Sequence, residues 1–141
     1  MSIASVQAAI TNLRTQKAPD NITFMQNTPR ALLYNPVNAF IAPQIVKQKM
    51  ERGTTDNNTN YISDYGIDLV EDPFWQVSGA TGTNNGWALF GKEHYLYFFM
   101  RQAYRPYSWF DGATASYCTV VDAAWDEGAS DWRGSYGSKG G

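Results

Sequence analysis

Few side chains in this sequence are placed for catalysis, and its single histidine, His94, and single cysteine, Cys118, are the main candidates. A Ser-His-Asp or Cys-His site would have to include His94, which lies in "GKEH", a segment typical of a tight turn. Cys118 lies in "SYCTVVDAAW", where a lone cysteine is typical of a small buried hydrophobic residue. No catalytic motif surrounds either residue, so we expect no enzymatic activity.

Acidic residues cluster in two segments, "DYGIDLVED" and "DAAWDEGASDWRG". The second suggests calcium, because hard cations take several oxygens from one loop, but its spacing differs from that of an EF-hand loop. No two carboxylates are singled out as a pair that could hydrolyse a glycosidic bond. The glycine-rich segments "GATGTNNG" and "GSYGSKGG" lack the Lys-Ser/Thr ending of a phosphate-binding loop. We therefore predict no metal and no cofactor, and interpret the acids as solvated groups or as partners of arginines on a neighbouring chain.

Aromatic residues are the most distinctive feature, with ten rings in the 24 residues "WALFGKEHYLYFFMRQAYRPYSWF". In "HYLYFFMR", strand alternation places Tyr95, Tyr97 and Phe99 on one face and Leu96, Phe98 and Met100 on the other. Both faces are apolar. Such a strand is either central in a covered sheet or packed against another subunit, whereas a carbohydrate platform more often has one aromatic and one polar face.

Composition narrows the choice of partners. The net charge of −2 argues against a specific nucleic-acid partner, because phosphate binding depends on clustered Lys and Arg. Apolar runs such as "YLYFFM" are far shorter than the ~20 residues that span a bilayer, so no membrane partner is expected. The N-terminal segment has neither the basic start nor the cleavage site of a signal peptide. A single cysteine, which cannot pair within the chain, fits synthesis in a reducing cytoplasm.

Hydrophobic spacing and capping residues predict one α+β domain over 1–134, with two or three helices packed on a mostly antiparallel sheet. A first helix is predicted over 2–17, and a second from Asn35-Pro36 to Gly53, with Pro43 dividing it or shifting its start. Strands are predicted at Ala31–Tyr34, around Ile67 and Leu69, in "PFWQVSG", and at Trp87–Phe90, Tyr95–Arg101 and Tyr117–Trp125. The glycine-rich residues 135–141 are predicted to form a flexible tail.

The order of several segments resembles a known family. These are "SVQAAITNLRTQKAPDN", "TPRALLYNP", a helix, an Asn-rich loop, "GIDLVEDPFW", "NNGWALFGKEHYLYFFMRQAYRP" and "DAAWDEGASDWRGSYGSKG". They resemble the C-terminal half of a tailed-phage major capsid protein of the Hong Kong 97-type fold, in particular the major head subunit of Mu-like phages. The matching elements are Pro29–Pro36, Arg101–Pro106 and Asp131–Gly134.

The resemblance implies a structural virion protein. It implies a subunit, or part of one, that assembles with copies of itself into pentamers and hexamers of a head shell, together with other capsid proteins. Assembly would take place in the host cytoplasm and the product would be the virion. The chain would correspond to the axial domain plus the last strands of the peripheral domain. The family's N-terminal arm, extended loop and spine helix precede this region and are not in the sequence, so we expect a fragment, a split gene product or a reduced relative.

The segment "FFMRQAYRPYSWF" has the composition of a subunit interface, which favours aromatic residues, Met and Arg. In a closed ring, one patch meets a different patch on the next subunit. We hypothesise that an arginine edge (Arg101, Arg105, Arg133) meets an acidic edge (Asp64, Asp68, Asp126, Asp131). The candidate interface residues are Phe99, Arg101, Tyr104, Arg105, Tyr107, Trp109, Asp126, Asp131 and Arg133.

Three other functions stay open from the sequence. One is a phage neck or tail-terminator protein that forms a ring. Another is a carbohydrate- or peptide-binding module that uses Trp87, Trp109, Trp125 and Trp132. The last is an enzyme that uses Cys118 or His94.

Overall fold

The computed structural model describes residues 1–50, 58–74 and 86–138 of the chain. Its contacts divide the chain into two compact units. The first comprises Met1–His94 with Trp132–Gly141, and the second comprises Tyr95–Asp131. The α+β class is confirmed, with two α-helices and two sheets in which all but one strand pairing is antiparallel.

The elements follow one another along the chain. The helices are α1 (Ile3–Thr15) and α2 (Ile41–Lys47), with 3₁₀ turns at Pro36–Asn38 and Tyr61–Tyr65. The strands are β1 (Pro29–Tyr34), β2 (Asp68–Glu71), β3 (Trp87–Gly91), β4 (Leu96–Asp111), β5 (Ser116–Ala129) and β6 (Ser135–Ser138). No helix in the described ranges is long and apolar enough to cross a membrane.

Helix α1 begins where the sequence predicts. Ser2 and Ser5 form a reciprocal cap, in which the Ser5 amide donates to Ser2 Oγ at 3.2 Å and the Ser2 amide donates to Ser5 Oγ at 3.0 Å. Residues three or four apart then bury one face of the helix. Its buried residues are Val6, Ala9, Ile10 and Leu13.

The second helix starts later than predicted. Asn35 accepts a hydrogen bond from the Val37 amide, but the turn that it caps is a short 3₁₀ helix. Helix α2 starts at Ile41 and has Pro43 in its first turn, where proline is tolerated because the missing N–H has no helical acceptor there. It ends at Lys47, ahead of the end predicted at Gly53, which lies outside the described residues.

The four-stranded sheet has the order β2-β1-β3-β6. Strand β1 pairs in parallel with β2 and antiparallel with β3, and β3 pairs antiparallel with β6. The strand predicted in "PFWQVSG" is not seen at Pro73 and Phe74, which form a turn, and its remaining residues lie outside the described part of the chain. The core of this unit packs α1 and α2 on the sheet and contains Val6, Ala9, Ile10, Ala42, Ile45 and Val46 together with Leu32, Ile62, Trp87 and Leu89.

The last strand corrects the prediction of a flexible tail from residue 135 onward. Ser135–Ser138 pair with β3, from Phe90↔Ser135 to Trp87↔Ser138. The buried side chain of Gln16 holds the start of this strand, donating to the Ser135 carbonyl at 3.1 Å and accepting from the Gly134 amide at 2.8 Å. A glycine-rich segment is thus fixed by main-chain pairing, by one buried amide and by Tyr136, whose ring packs on the core with its centroid 6.1 Å from that of Trp87. Residues 139–141 lie outside the described part.

The second unit is a long hairpin, formed by β4 and β5. Strand β4 has 16 residues, more than twice the predicted span Tyr95–Arg101, and β5 has 14, which extends the predicted span Tyr117–Trp125 at both ends. Two register shifts, between Met100 and Gln102 and between Gln102 and Arg105, place one extra residue each on β4. At the turn, Asp111 accepts hydrogen bonds from the Ala113 amide at 3.0 Å and the Thr114 hydroxyl at 2.8 Å.

We predict that Gly134→Ala destabilises the four-stranded unit. Gly134 has φ +79°, and an added Cβ would collide with the Glu93 carbonyl oxygen. A left-handed backbone angle at a non-glycine residue costs roughly 1–3 kcal/mol, and the collision adds to that cost. Gly137→Ala on β6 is the matched control, because its Cβ would have no neighbour within 4 Å. Urea unfolding should give a lower midpoint for Gly134→Ala only, and equal midpoints would contradict the strained position assigned to Gly134.

Candidate functional site

The β4–β5 hairpin exposes apolar side chains on both of its faces. In an antiparallel pair, residues directly opposite each other share a face, and successive residues alternate between faces. We call one side the Arg105 face; it consists of Tyr97, Phe99, Gln102, Arg105, Tyr107, Trp109, Cys118, Val120, Asp122 and Asp126. We call the other the Trp125 face; it consists of Leu96, Phe98, Met100, Tyr104, Pro106, Ser108, Phe110, Tyr117, Thr119, Val121, Trp125 and Glu127.

On the Arg105 face, aromatic rings form contacts along β4 rather than with a covering layer. Tyr107 and Trp109 stack at 5.7 Å with an interplanar angle of 24°, and Tyr97 and Phe99 lie 5.7 Å apart. Trp109 keeps 45% of its surface exposed and Phe99 58%. Pairing with its own neighbours therefore leaves about half of each ring in contact with solvent.

On the Trp125 face, the rings form contacts across the two strands. Phe110 and Tyr117 meet edge to face at 5.1 Å, and Tyr104 and Trp125 lie 6.5 Å apart. Exposure is higher here and reaches 82% at Tyr117. The alternation predicted from "HYLYFFMR" is confirmed. The sequence interpretation that this strand is central in a covered sheet does not hold, because β4 pairs with β5 alone in a two-stranded sheet.

A polar group interrupts the middle of the Arg105 face. Arg105 donates to Asp122 Oδ2 at 3.3 Å, and the Gln102 amide lies beside the same carboxylate. Burial tends to raise the pKa of Asp122, but Gln102 and Arg105 together outweigh it and hold that pKa below its ordinary value. Two nearly inaccessible atoms of this group, Gln102 Nε2 and Asp122 Oδ1, have no hydrogen-bond partner within the described chain.

The hairpin is acidic as well as aromatic. Over Tyr95–Asp131 it carries two arginines against five carboxylates. The arginines are Arg101 and Arg105, and the carboxylates are Asp111, Asp122, Asp126, Glu127 and Asp131. A partner that covers this unit must therefore accept excess negative charge or leave these carboxylates in solvent.

The structure places most of the predicted interface residues in the hairpin. Seven of them lie on β4 and β5, and Asp131 follows β5. Those on the strands are Phe99, Arg101, Tyr104, Arg105, Tyr107, Trp109 and Asp126. Arg133 belongs to the other unit, where its Nε donates to the Lys17 carbonyl at 2.8 Å and its guanidinium lies 5.2 Å from the Trp132 ring.

Two members of the hypothesised arginine and acidic edges are paired within the chain. Arg105 pairs with Asp122, and Asp68 pairs with Arg30 at 3.1 Å. Both pairs are exposed, so each is worth little to stability and neither prevents a contact with another molecule. The sequence analysis identified neither Asp122 as the partner of Arg105 nor Gln102 as its neighbour. These three residues meet because two bulges in β4 change its register with β5, and the sequence did not predict the bulges.

The two candidate catalytic residues lie in separate units. His94 follows β3 and its ring meets Phe90 edge to face at 6.5 Å. Cys118 lies on β5, opposite Trp109, and is partly buried. Within residues 1–50, 58–74 and 86–138, no three His, Cys, Asp or Glu side chains are grouped so that they could hold a metal ion.

The four-stranded unit contains an open groove of about 500 Å³ beside α1. Ile10, Arg14, Phe24 and Tyr65 line it, and Arg14 donates to the Tyr65 hydroxyl at 3.1 Å. Among its described lining residues Arg14 alone is charged. The groove therefore has an apolar wall and one cation, without a group placed for catalysis.

Comparisons with family models, with curated proteins and with solved structures found no match for this chain.

We predict that the hairpin loosens in acid in a way that depends on Asp122. The folded pKa of this residue is below its ordinary value, so its contribution is present above about pH 4 and is lost as the pH falls through the folded pKa. Hydrogen exchange of β4 and β5 amides should show more opening at pH 3 than at pH 6, after correction for intrinsic rates. Asp122→Asn should reduce that difference, whereas Asp126→Asn, whose carboxylate accepts from the Glu127 amide, should keep it.

Proposed function

We propose that this protein is a structural subunit that assembles with copies of itself, and that neighbouring copies cover the two faces of its hairpin. The observation that carries the proposal is a 16-residue strand paired to a 14-residue strand with large apolar side chains exposed on both sides.

A two-stranded sheet is marginally stable by itself in water, because it has no apolar face that it can bury. Exposed aromatic surface of this extent on a soluble domain is typical of an interaction site. The exposed rings of the hairpin are Tyr97, Phe98, Phe99, Tyr104, Tyr107, Trp109, Phe110, Tyr117 and Trp125. Covering them would stabilise both the hairpin and the contact, at about 25 cal/mol per Å² of apolar surface removed from water.

A macromolecular partner fits this surface better than a small ligand. A ligand platform needs one aromatic face, and the second face of the sheet then packs on the protein that carries it. Here both faces are exposed, and the enrichment in Tyr, Trp, Phe, Met and Arg is that of a subunit interface.

The specific assembly that we propose is a tailed-phage head shell of the Hong Kong 97 type. The support is the resemblance carried by Pro29–Pro36, Arg101–Pro106 and Asp131–Gly134, together with an element order of helix, strand, helix and then mostly strands. In this proposal the four-stranded unit corresponds to the axial domain. The hairpin takes the part that the extended loop has in that family, linking one subunit to the next.

We predict that the protein has a mass above that of a monomer, and that the mass rises with concentration. Light scattering on a sizing column over a wide concentration range is the measurement, and electron microscopy of the largest fraction shows its form. Pentamers, hexamers or shells support the head-shell proposal. A single closed ring of another size would favour a neck or tail-terminator protein instead. A monomer at every concentration would contradict self-assembly.

We also predict that Trp109→Ala weakens assembly while Phe40→Ala does not. Both residues are exposed aromatics, at 45% and 84%, but only Trp109 lies on a hairpin face. Interface aromatics at hot spots contribute about 2 kcal/mol or more, so the concentration at half dissociation should rise by roughly tenfold or more. Far-UV circular dichroism of both variants provides the folding control. Equal effects of the two substitutions would exclude the hairpin as the main contact.

A further inference from the structure

The hairpin has two outer edges as well as two faces, and the edges differ. A strand that pairs on one side only leaves every second N–H and C=O group pointing outward. Two-stranded sheets have one such edge on each strand. The register of the hairpin, the position of Pro106 and the hydrogen bond between Ser130 and Tyr95 show which residues direct these groups outward.

On β4, Pro106 lies opposite Val121 of β5. Proline has no N–H, so within a sheet it occupies positions whose N–H side faces outward. The pair Pro106 and Val121 is therefore one that exchanges no hydrogen bonds, and the amide of Val121 points away from β4. By alternation, the amides of Tyr117 and Thr119 also point outward from β5.

A hydrogen bond at the other end of the hairpin gives the same assignment of outward amides on β5. The Ser130 amide donates to the Tyr95 carbonyl at 3.0 Å, which makes these two residues a hydrogen-bonded pair. The next residue inward, Ala129, then points its amide outward, and so does every second residue of β5 from there. Because the extra residues lie on β4, β5 keeps this alternation without interruption from Ala129 to Tyr117.

The outer edge of β4 is interrupted, and that of β5 is not. On β4 the edge lacks an N–H at Pro106 and is distorted by two register shifts before Arg105. Bulges and prolines are the devices by which proteins block edge pairing. Strand β5 has neither over Ser116–Ala129. It therefore offers a regular ladder of outward groups, except at Glu127, whose amide donates to Asp126 Oδ1.

The distal part of β5 also has the side chains of a pairing strand. The residues from Ser116 to Val121 carry no charge and include Tyr117, Thr119 and two valines. These are the residue types that favour strands and cross-strand packing. The carboxylates of β5 lie beyond this segment, at Asp122, Asp126 and Glu127.

We propose that β5 pairs antiparallel with β5 of a second copy of this chain, over Tyr117–Val121 and centred on Thr119, to form a continuous four-stranded sheet. This inference rests on the proposed self-assembly and names the contact. Two features favour β5 as its own partner: its distal segment is uncharged, and its outer edge, unlike that of β4, is uninterrupted. An antiparallel arrangement lays one uncharged segment on another, keeps the acidic ends of the two strands apart, and avoids the blocked edge of β4.

This register makes specific cross-strand neighbours. Tyr117 lies opposite Val121 of the second copy, which is an aromatic and β-branched pair of the kind that stabilises sheets. Cys118 lies opposite Val120 of the second copy, in a pair that exchanges no hydrogen bonds. The contact is isologous, so each neighbour pair occurs twice.

The test compares Thr119→Pro with Ser108→Pro. These residues face each other across the hairpin, and each directs its amide to an outer edge, Thr119 on β5 and Ser108 on β4. Each substitution thus removes one outward N–H and keeps the hydrogen bonds between β4 and β5. Thr119→Pro should raise the half-dissociation concentration by about tenfold or more, because two hydrogen bonds are lost across the two-fold axis. Ser108→Pro should leave that concentration unchanged.

A cross-link provides a second readout of the same register. In Val120→Cys, the new thiol lies opposite Cys118 of the second copy, and oxidised glutathione should convert the pair to an intermolecular disulfide. The dimer band on a non-reducing gel should disappear when Cys118→Ser is added.

The outcomes separate this inference from the proposed function. If the wild-type chain associates and the two proline variants dissociate equally, or if Val120→Cys gives no dimer, the β5 edge is not the contact, while self-assembly stands. If the wild-type chain is monomeric throughout, both proposals fail. Loss of association in Thr119→Pro alone, together with the cross-link, supports the paired β5 strands.

Discussion

A two-stranded sheet cannot bury an apolar face by itself, and this constraint distinguishes the two units of the molecule. In the four-stranded unit, α1, α2 and β3 enclose a common core that includes Trp87 and Leu89, both almost fully buried. The hairpin has no such core. Its rings pair with one another at 5.1–6.5 Å yet keep large exposed areas. One unit therefore buries its apolar side chains within its own chain, whereas the other leaves most of its rings exposed.

Polar side chains reinforce the contrast between the units. In the four-stranded unit, buried amides are fully used: Asn60 donates to the Ile45 carbonyl at 2.6 Å and the Gln48 carbonyl at 2.8 Å, and accepts from the Ile62 amide at 3.1 Å. Gln16 bonds similarly to the start of β6. In the hairpin, Gln102 Nε2 and Asp122 Oδ1 lack partners within the described chain. Satisfied buried polar groups fix one structure, and they are concentrated in the four-stranded unit.

The sequence predicted the elements whose signals are local. The Ser2 cap and the spacing of the apolar residues located α1, and alternation correctly assigned the faces of "HYLYFFMR". It did not predict the length of β4, because two bulges break the alternation after Met100 and Pro106 is typical of a strand end. Strand β6 was missed for a different reason. Its glycines and serines favour a tail, and the contacts that hold them in a sheet are distant in sequence: the Gln16 side chain, the pairing with β3, and Tyr136 against Trp87.

The most direct test of the account is hydrogen exchange of individual amides at low and high protein concentration. If neighbouring copies cover the hairpin, amides of β4 and β5 should exchange more slowly at high concentration, and those of Tyr117, Thr119 and Val121 should gain protection with them. Amides of β1 and β3 should exchange at the same rate at both concentrations, because their core lies within one chain. Identical exchange of the hairpin at both concentrations, with the protein shown to be monomeric in each sample, would contradict the account.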